Sequence, residues 1–190
     1  MGYSQADKEA THERIVQAAA NRFRREGLAG ISIADLMKEV GLTHGGFYKH
    51  FDSREELVFE AVDKALQQSE MAAAGNPDDP AALVELLDRY LSPAHRDSPE
   101  EGCAVAAFAG EMARNEPRAR ARYSDQIERN VGRMVARFDA GADAEKRARA
   151  ILTMSAMVGA LNLARAVSDE ALSDEILATV REQLKALAQR

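Results

Sequence analysis

Apolar residues recur every three or four positions along most of the chain, which is the period of an amphipathic α-helix. The first stripe predicts a helix over residues 8–26 that ends at Gly27. Its apolar members are Ile15, Ala18, Ala19 and Phe23. The chain is rich in Ala, Leu, Glu and Arg, with five Pro and no Trp, a composition that favours helix over sheet. We therefore predict an all-α protein with about nine helices.

Two short helices separated by a glycine are predicted next. Ser32 and Asp35 form a capping pattern that opens the first of them, and Gly41 ends it because glycine accepts the left-handed backbone of a tight turn. The second short helix is predicted over residues 42–51. A helix, a glycine turn and a short second helix are typical of the DNA-binding helix-turn-helix, whose second helix enters the major groove.

The second short helix has an apolar side and a polar side. Phe47 and Phe51 lie four residues apart and can be buried together, and the hydroxyl of Thr43 is a candidate N-cap. Gly45 and Gly46 cost about 1 kcal/mol each in a helix, which indicates close approach to another surface, and we expect that surface to be DNA. The other side can contact phosphates and base edges through His44, Gly45, Tyr48 and Lys49.

A long fourth helix is predicted from Ser53 to about residue 71. Ser53 and Glu56 form a second capping box at its start. The helix is longer than a helix-turn-helix requires, so we expect it to connect two domains. The predicted organisation is a DNA-binding domain at 1–52, a linking helix at 53–74 and a helical domain at 75–190.

Over residues 15–61 some fifteen positions follow one pattern, which includes Gly27, Ser32, the run Gly41-Leu42-Thr43, Gly45 with Phe47-Tyr48 and His50-Phe51, and Ser53-Arg54-Glu55-Glu56. This segment closely resembles the DNA-binding domain of the tetracycline-repressor (TetR) family of bacterial transcriptional regulators. The resemblance implies a dimeric repressor that leaves a palindromic operator when a signal arrives.

Three groups of residues are predicted to bind DNA. Thr43, His44 and Gly45 face base edges, with Gly46 beside them. Phosphates are bonded by Tyr48, Lys49 and His50. Ser32 and Arg54 anchor the flanking helix starts on the DNA backbone.

Five more helices are predicted after a loop at 75–80. They cover residues 81–91, 99 to the break at Pro117, 118–138, 144–167 and 174–188, with a further break at 92–99. The helix after Pro99 is alanine-rich nearly all round, so we expect it to be the most buried helix of this half.

The last two helices carry apolar residues on more than one stripe. Gly159 and Ala160 would allow another helix to approach closely. In the family that the sequence resembles, these helices form a four-helix bundle between two subunits, so we predict a homodimer here. The alternative is that they complete a monomeric core.

Two routes for an effector are open. One is a small-molecule pocket lined by Tyr90, Phe108, Met112, Met134, Met154 and Met157. The alternative for these methionines is core packing. The other route is thiol sensing by Cys103 near a helix N-terminus, as in some relatives with a Gly-Cys pair there, although Glu100 and Glu101 oppose a reactive thiolate. Here the alternative is an inert buried cysteine.

Charge and hydropathy limit the other classes. The net charge of −6 argues mildly against nucleic-acid binding, but Lys49, Arg54 and two histidines surround the predicted recognition helix against one Asp52. The N-terminus is polar and the longest uncharged run has 15 residues, short of the roughly 20 that span a membrane. With a single cysteine as well, we expect a cytoplasmic protein.

Nothing in the sequence favours an enzyme. The four histidines His12, His44, His50 and His95 lack the paired spacing of metal ligands, and Cys103 has no evident histidine partner. We expect no cofactor, metal or catalytic residue. The alternatives are a thiol-dependent enzyme and a helical adaptor that does not bind DNA.

Overall fold

The computed structural model describes residues 5–72, 82–138 and 141–188. All regular structure within these ranges is helical, which confirms the all-α prediction. The helices are α1 (Gln5–Glu26), α2 (Ile33–Glu39), the 3₁₀ helix η1 (His44–Lys49), α3 (Arg54–Ala72), α4 (Ala82–Tyr90), α5 (Pro93–Asp97), α6 (Ala104–Met112), α7 (Pro117–Val135), α8 (Asp143–Ala166) and α9 (Glu170–Ala188). The loop predicted at 75–80 lies outside the described residues.

Glycines and serines set the boundaries of the first helices as expected. Gly27 and Gly41 have φ of 79° and 76°, the left-handed conformation that ends α1 and α2. Ser32 caps α2 by accepting a hydrogen bond from the Asp35 N–H at 3.4 Å. Ser53 likewise accepts from the Glu56 N–H at 3.2 Å.

The predicted second half of the Ser53 box is displaced by one residue. The Glu56 carboxylate accepts from the N–H of Asp52, at 2.6 Å, rather than from that of Ser53. The carboxylate therefore satisfies a backbone donor of the turn between η1 and α3, and it still holds the entry to α3.

The predicted recognition helix is a 3₁₀ helix rather than an α-helix. Its backbone makes bonds between residues three apart, from Gly46 to Thr43 at 2.9 Å and from His50 to Phe47 at 2.9 Å. Thr43 does occupy the N-cap position, but its side chain makes no capping hydrogen bond, so that part of the prediction is wrong. Adjacent glycines and a length of six residues both favour the tighter helix over an α-helix.

The break predicted at 92–99 contains the short helix α5. Ser92 accepts from the His95 N–H at 3.2 Å, and Pro93 occupies the first turn, where its missing N–H costs nothing. Two other starts also differ. α6 begins at Ala104 rather than 99, and α9 begins at Glu170 rather than 174 because Asp169 accepts from the Leu172 N–H at 3.1 Å.

Two hydrophobic cores hold the helices together. The first joins α1, α2, η1 and α3 to α6, and its largest fully buried side chains include Phe23, Phe47, Phe51 and Phe108. The second joins α4, α7, α8 and α9 around Leu87, Met134 and Leu177. α6 therefore contributes to the core of the N-terminal half, and five of its nine residues are buried, in line with the expectation for this helix.

Candidate nucleic-acid interface and ligand cavity

Two stacked phenylalanines fix η1 to the molecule. Phe47 is 0% exposed and Phe51 1%, and their ring centroids lie 5.3 Å apart. Leu36 and Met37 of α2 are also fully buried in the same core. Burial of this apolar side leaves the opposite side of η1 facing solvent, as the sequence predicted.

The solvent side of η1 carries hydrogen-bond donors and little bulk. Tyr48 is 66% exposed, and its ring meets His44 edge-on with centroids 6.2 Å apart. Lys49 and Thr43 are exposed too, and a Cβ added at Gly45 would meet no atom within 4 Å. Such a surface allows a nucleic-acid backbone to approach closely and offers it a positive charge and a phenol.

His50 lies partly inside the molecule. Its ring neighbours His12, with centroids 6.1 Å apart, and Phe51, whereas the sequence placed it beside Tyr48 or a phosphate. The Nδ1 atom is buried without a partner among the described residues. Burial lowers the pKa of His50, and the charges of His12, Lys8 and Lys49 lower it further. At neutral pH the ring is therefore uncharged.

His12 ties η1 to the long helices. Its ring stacks on Phe51 with centroids 4.5 Å apart, and its Nε2 lies 2.6 Å from the Glu60 carboxylate on α3. No structural role was predicted for His12, because contacts across 39 and 48 residues leave no local pattern.

Ser32 and Arg54, the two predicted DNA contacts on either side of η1 in the sequence, differ in how freely they can bind DNA. Ser32 is exposed at the start of α2. Arg54 is half-buried, and its guanidinium donates to the Leu28 carbonyl in the turn after α1. Part of its hydrogen-bonding capacity is therefore used within the protein.

A carboxylate from α6 holds the same turn from the other side. Glu111 accepts from the Leu28 N–H at 2.8 Å, and a Cβ added at Gly27 would lie 2.6 Å from the Glu111 carboxylate. This contact joins the two halves across 83 residues of sequence. In the sequence, Glu111 is an ordinary polar residue of an apolar helix, so its contact with the turn after α1 was not predicted.

A cavity of about 460 Å³ lies between α4, α7 and α8 and the segment before α6. Five of the seven predicted effector residues line it: Tyr90, Cys103, Met134, Met154 and Met157. Phe108 and Met112 do not, and that prediction is wrong. They are buried in the first core, packed with α1 and α3, because α6 is apolar on several sides and turns Val105 towards the cavity.

Two polar side chains have contrasting positions at the cavity. The Tyr90 hydroxyl is buried and has no hydrogen-bond partner among the described residues. Burial and the neighbouring Cys103 raise its pKa well above the usual value. His95 is fully engaged, because its Nδ1 meets the Tyr90 carbonyl at 2.7 Å and its Nε2 accepts from the Cys103 N–H at 3.0 Å. Burial lowers the pKa of His95, which matches the neutral tautomer that these partners require.

Cys103 lies between the cavity and α3. It is half-buried and N-caps α6, with no capping bond from its side chain. The next residue, Ala104, donates its N–H to Ser69 of α3 at 2.9 Å. A Cβ added at Gly102 would meet His95 at 3.0 Å and Arg165 at 3.1 Å, so the backbone here is tightly enclosed. The segment is thus hydrogen-bonded directly to α3.

Three arginines also line the cavity, and the sequence did not single them out. Arg89 belongs to α4, Arg133 lies in the last turn of α7, and Arg137 lies in the turn that follows α7. Glu101 is the acidic residue of the lining.

Large apolar side chains are exposed on the last two helices. Leu152 and Leu163 of α8 are 55% and 58% exposed, and Leu172 of α9 is 44% exposed. Gly159 lies between the two leucines, and a Cβ there would meet no atom within 4 Å. Exposed apolar side chains in one region mark a surface that can bind a partner.

Searches for two further kinds of site were negative for the described residues. No helix among them is long and apolar enough to cross a membrane. No cluster of three or more His, Cys, Asp or Glu side chains that could hold a metal ion occurs in the same ranges.

Comparisons with known proteins agree with this architecture. The family model for bacterial regulatory proteins of the tetR family matches residues 15–61. The transcriptional regulator TtgR of Pseudomonas putida is 29% identical over 86 residues, which are 45% of this chain and 41% of TtgR, so the match spans less than half of that relative. A TetR transcriptional regulator from Chloroflexus aurantiacus superposes with a TM-score of 0.77 at 25% identity over 95% of this chain and 97% of that one. A TetR-family regulator from Agrobacterium tumefaciens has the same fold, with a TM-score of 0.77 at 22% identity over 94% and 98% of the two chains. Residues 15–61 therefore match the tetR family of bacterial regulatory proteins, and the chain has the fold of TetR transcriptional regulators.

Proposed function

We propose that this protein is a DNA-binding transcriptional regulator that represses its target genes until an effector releases it. The main support for the proposal is the solvent side of η1. His44, Tyr48 and Lys49 are exposed there, while Phe47 and Phe51 on the opposite side are buried in the core. Thr43, His44 and Gly45 would face base edges in the major groove, and Tyr48 and Lys49 would bond phosphates. His50 would reach a phosphate only through its Nε2 atom, because its Nδ1 atom is buried.

The active form would be a homodimer joined through α8 and α9. The exposed Leu152, Leu163 and Leu172 support this assignment, since a second copy would cover them. A two-fold dimer presents two copies of η1 and suits a palindromic operator with half-sites about one helical turn apart or slightly more. The chain has a net charge of −6, so one recognition surface attracts DNA only weakly. A dimer would present two such surfaces to the phosphates of one operator.

An effector would act through the cavity and α3. The segment that carries Gly102 and Cys103 borders the cavity, and Ser69 of α3 bonds to its end. A small molecule in the cavity, or a thiol-reactive compound at Cys103, would shift this segment and α3 with it. The two copies of η1 would then have the wrong separation for the operator.

The test is binding of the purified protein to its own upstream intergenic DNA over a range of salt concentrations. Wild type and Cys103→Ser would be compared with and without the thiol oxidant diamide. Tight, salt-sensitive binding supports the regulator. Loss of binding on oxidation in the wild type alone would assign the signal to Cys103, and binding indifferent to diamide would assign it to the cavity. If selection from random DNA also yielded no specific site, the proposal would fail.

A further inference from the structure

The cavity has walls of two kinds. Its apolar wall is formed by Leu86, Val105, Met134, Met154, Met157 and Val158. Methionine side chains are flexible and polarisable, so this wall can fit an aromatic or aliphatic body of varied shape. The polar wall is basic, because it contains three arginines against Glu101, although the whole chain has a net charge of −6.

The three arginines line one cavity, and the charges of Arg89 and Arg133 both act on Arg137. Arg133 lies in the last turn of α7 and Arg137 in the turn that follows it, where the Arg137 N–H donates to the Met134 carbonyl at 3.1 Å, and both side chains line the cavity. Arg137 is half-buried, and its pKa is lowered by burial and then by the positive charges of Arg89 and Arg133. All three arginines also take part in other interactions. A bound anion would therefore be an additional partner that relieves their mutual repulsion.

The third feature is the Tyr90 hydroxyl. It is buried at the cavity without a geometrically acceptable hydrogen-bond partner among the described residues, and the Cys103 thiol beside it is only a weak hydrogen-bonding group. A buried hydroxyl without a partner costs free energy, and a ligand oxygen placed beside it would remove that cost.

We propose that the ligand of this cavity is an amphipathic organic anion. Its apolar body would lie against the methionines and Val158, and its carboxylate or sulfonate would lie between Arg133, Arg137 and Arg89. A second oxygen of the ligand would bond to the Tyr90 hydroxyl. The volume of about 460 Å³ falls within the range of drug-sized ligand sites. Only the statement that this ligand acts as an effector rests on the proposed regulatory function.

Two fluorescent dyes separate charge from apolar fit. 1-Anilinonaphthalene-8-sulfonate carries a sulfonate, and N-phenyl-1-naphthylamine is the same aromatic body without it. Both would be titrated into the full-length wild type and into the double variant Arg133→Gln/Arg137→Gln. Arg120→Gln is the matched control, since Arg120 is exposed on the same helix and does not line the cavity. The single variant Arg133→Gln, at an exposed position, replaces the double variant if the latter fails to fold.

The expected result is a selective loss of the anionic dye. Its Kd should rise about tenfold or more in the double variant, because charge-assisted hydrogen bonds are lost. The Kd of the neutral dye should stay within about twofold of wild type, and Arg120→Gln should match wild type for both dyes. Arg133→Lys/Arg137→Lys should recover part of the affinity, because it keeps the charge and loses only the two-pronged geometry.

Three results would overturn the inference: no binding of the sulfonate dye to wild type, equal losses of both dyes in the double variant, or tighter binding of the neutral dye than of the anionic dye to wild type. The titrations contain no DNA, so they are independent of operator binding. If the protein binds DNA but fails the dye test, the proposed regulatory function stands and the anionic ligand class is refuted. If it passes the dye test but binds no specific DNA, the ligand class stands and the regulatory function is refuted.

Discussion

The two halves of the molecule place their polar and apolar groups in opposite ways. Around η1, phenylalanines are buried and His44, Tyr48 and Lys49 face solvent. In the second half, the Tyr90 hydroxyl is buried beside a cavity while Leu152 and Leu163 are exposed. The first arrangement buries its apolar side chains and offers polar groups to a polar partner. The second leaves a buried hydroxyl and exposed leucines that the proposed ligand and the proposed second subunit would cover.

α6 connects the halves, since it is distant from the DNA-binding segment in sequence but belongs to its core. Phe108 and Met112 are buried against the N-terminal helices, and Val105, on the same helix, lines the cavity. A ligand that moves α6 would therefore also move the hydrophobic core against which η1 packs.

The largest effect on stability is expected from loss of Phe47, the buried side chain that attaches η1 to the first core. Phe47→Ala should lower the free energy of unfolding by about 3–5 kcal/mol, because it leaves a cavity in the first core. Tyr48→Ala, on the exposed side, should change it by less than about 0.5 kcal/mol. Urea denaturation at one fixed protein concentration measures both. Similar losses in the two variants would refute the division of η1 into a buried and an exposed side.

The next effect is expected at the contact between the halves. Glu111→Ala removes the acceptor of the Leu28 N–H and should cost about 1–3 kcal/mol. Glu111→Gln keeps an acceptor oxygen and should cost less. If the two variants were equally stable in urea, the carboxylate would not hold the turn after α1.

A smaller effect on stability is expected from a change in pH. Folding lowers the pKa of His50 and His95, so the unfolded chain binds more protons below its histidine pKa of 6.5. Stability should therefore be fully present above about pH 7.5 and should fall as the pH drops through 6.5 towards the lowered values. Arg165 and Arg89 face His95 and act in the same direction, while its bond to the Tyr90 carbonyl opposes them.

Urea denaturation between pH 5.5 and 8 would measure this trend, with His95→Gln as the comparison. The variant should show a shallower slope of stability against pH. A stability that rose on acidification in this range would contradict the burial of neutral histidines.

The smallest effect on stability is expected at Gly45. A Cβ there would meet no atom, so Gly45→Ala should change the free energy of unfolding by less than about 0.5 kcal/mol. Its DNA affinity should nevertheless fall, because the methyl group would separate η1 from the groove. Gly27→Ala is the contrasting variant, since φ of 79° and the Glu111 carboxylate both oppose a side chain. Unchanged DNA affinity in Gly45→Ala would remove the proposed reason for a glycine at this position.

The sequence predicted most accurately what depends on neighbouring residues. Gly27, Gly41, Ser32 and Ser53 mark helix ends by local chemistry, and all four do so in the structure. α5 was missed although Ser92 and Pro93 carry the signals of a helix start.

What depends on distant contacts could not be predicted in the same way. α6 is apolar on several sides, so spacing alone could not tell that Phe108 faces the first core and Val105 the cavity. The arginines of the cavity come from two segments more than 40 residues apart, and only the fold brings Arg89 and Arg133 to the same cavity.

The most direct test of the central claim, that the solvent side of η1 binds DNA, is the salt dependence of operator binding in wild type and in Lys49→Ala. Lys146→Ala, at the start of α8, is the control for loss of one positive charge. The logarithm of the association constant should fall linearly with the logarithm of salt concentration, and the slope should be smaller by about two in the Lys49→Ala dimer, one for each subunit. Lys146→Ala should keep the wild-type slope. An unchanged slope in Lys49→Ala on a duplex that the wild type binds tightly would contradict the claim.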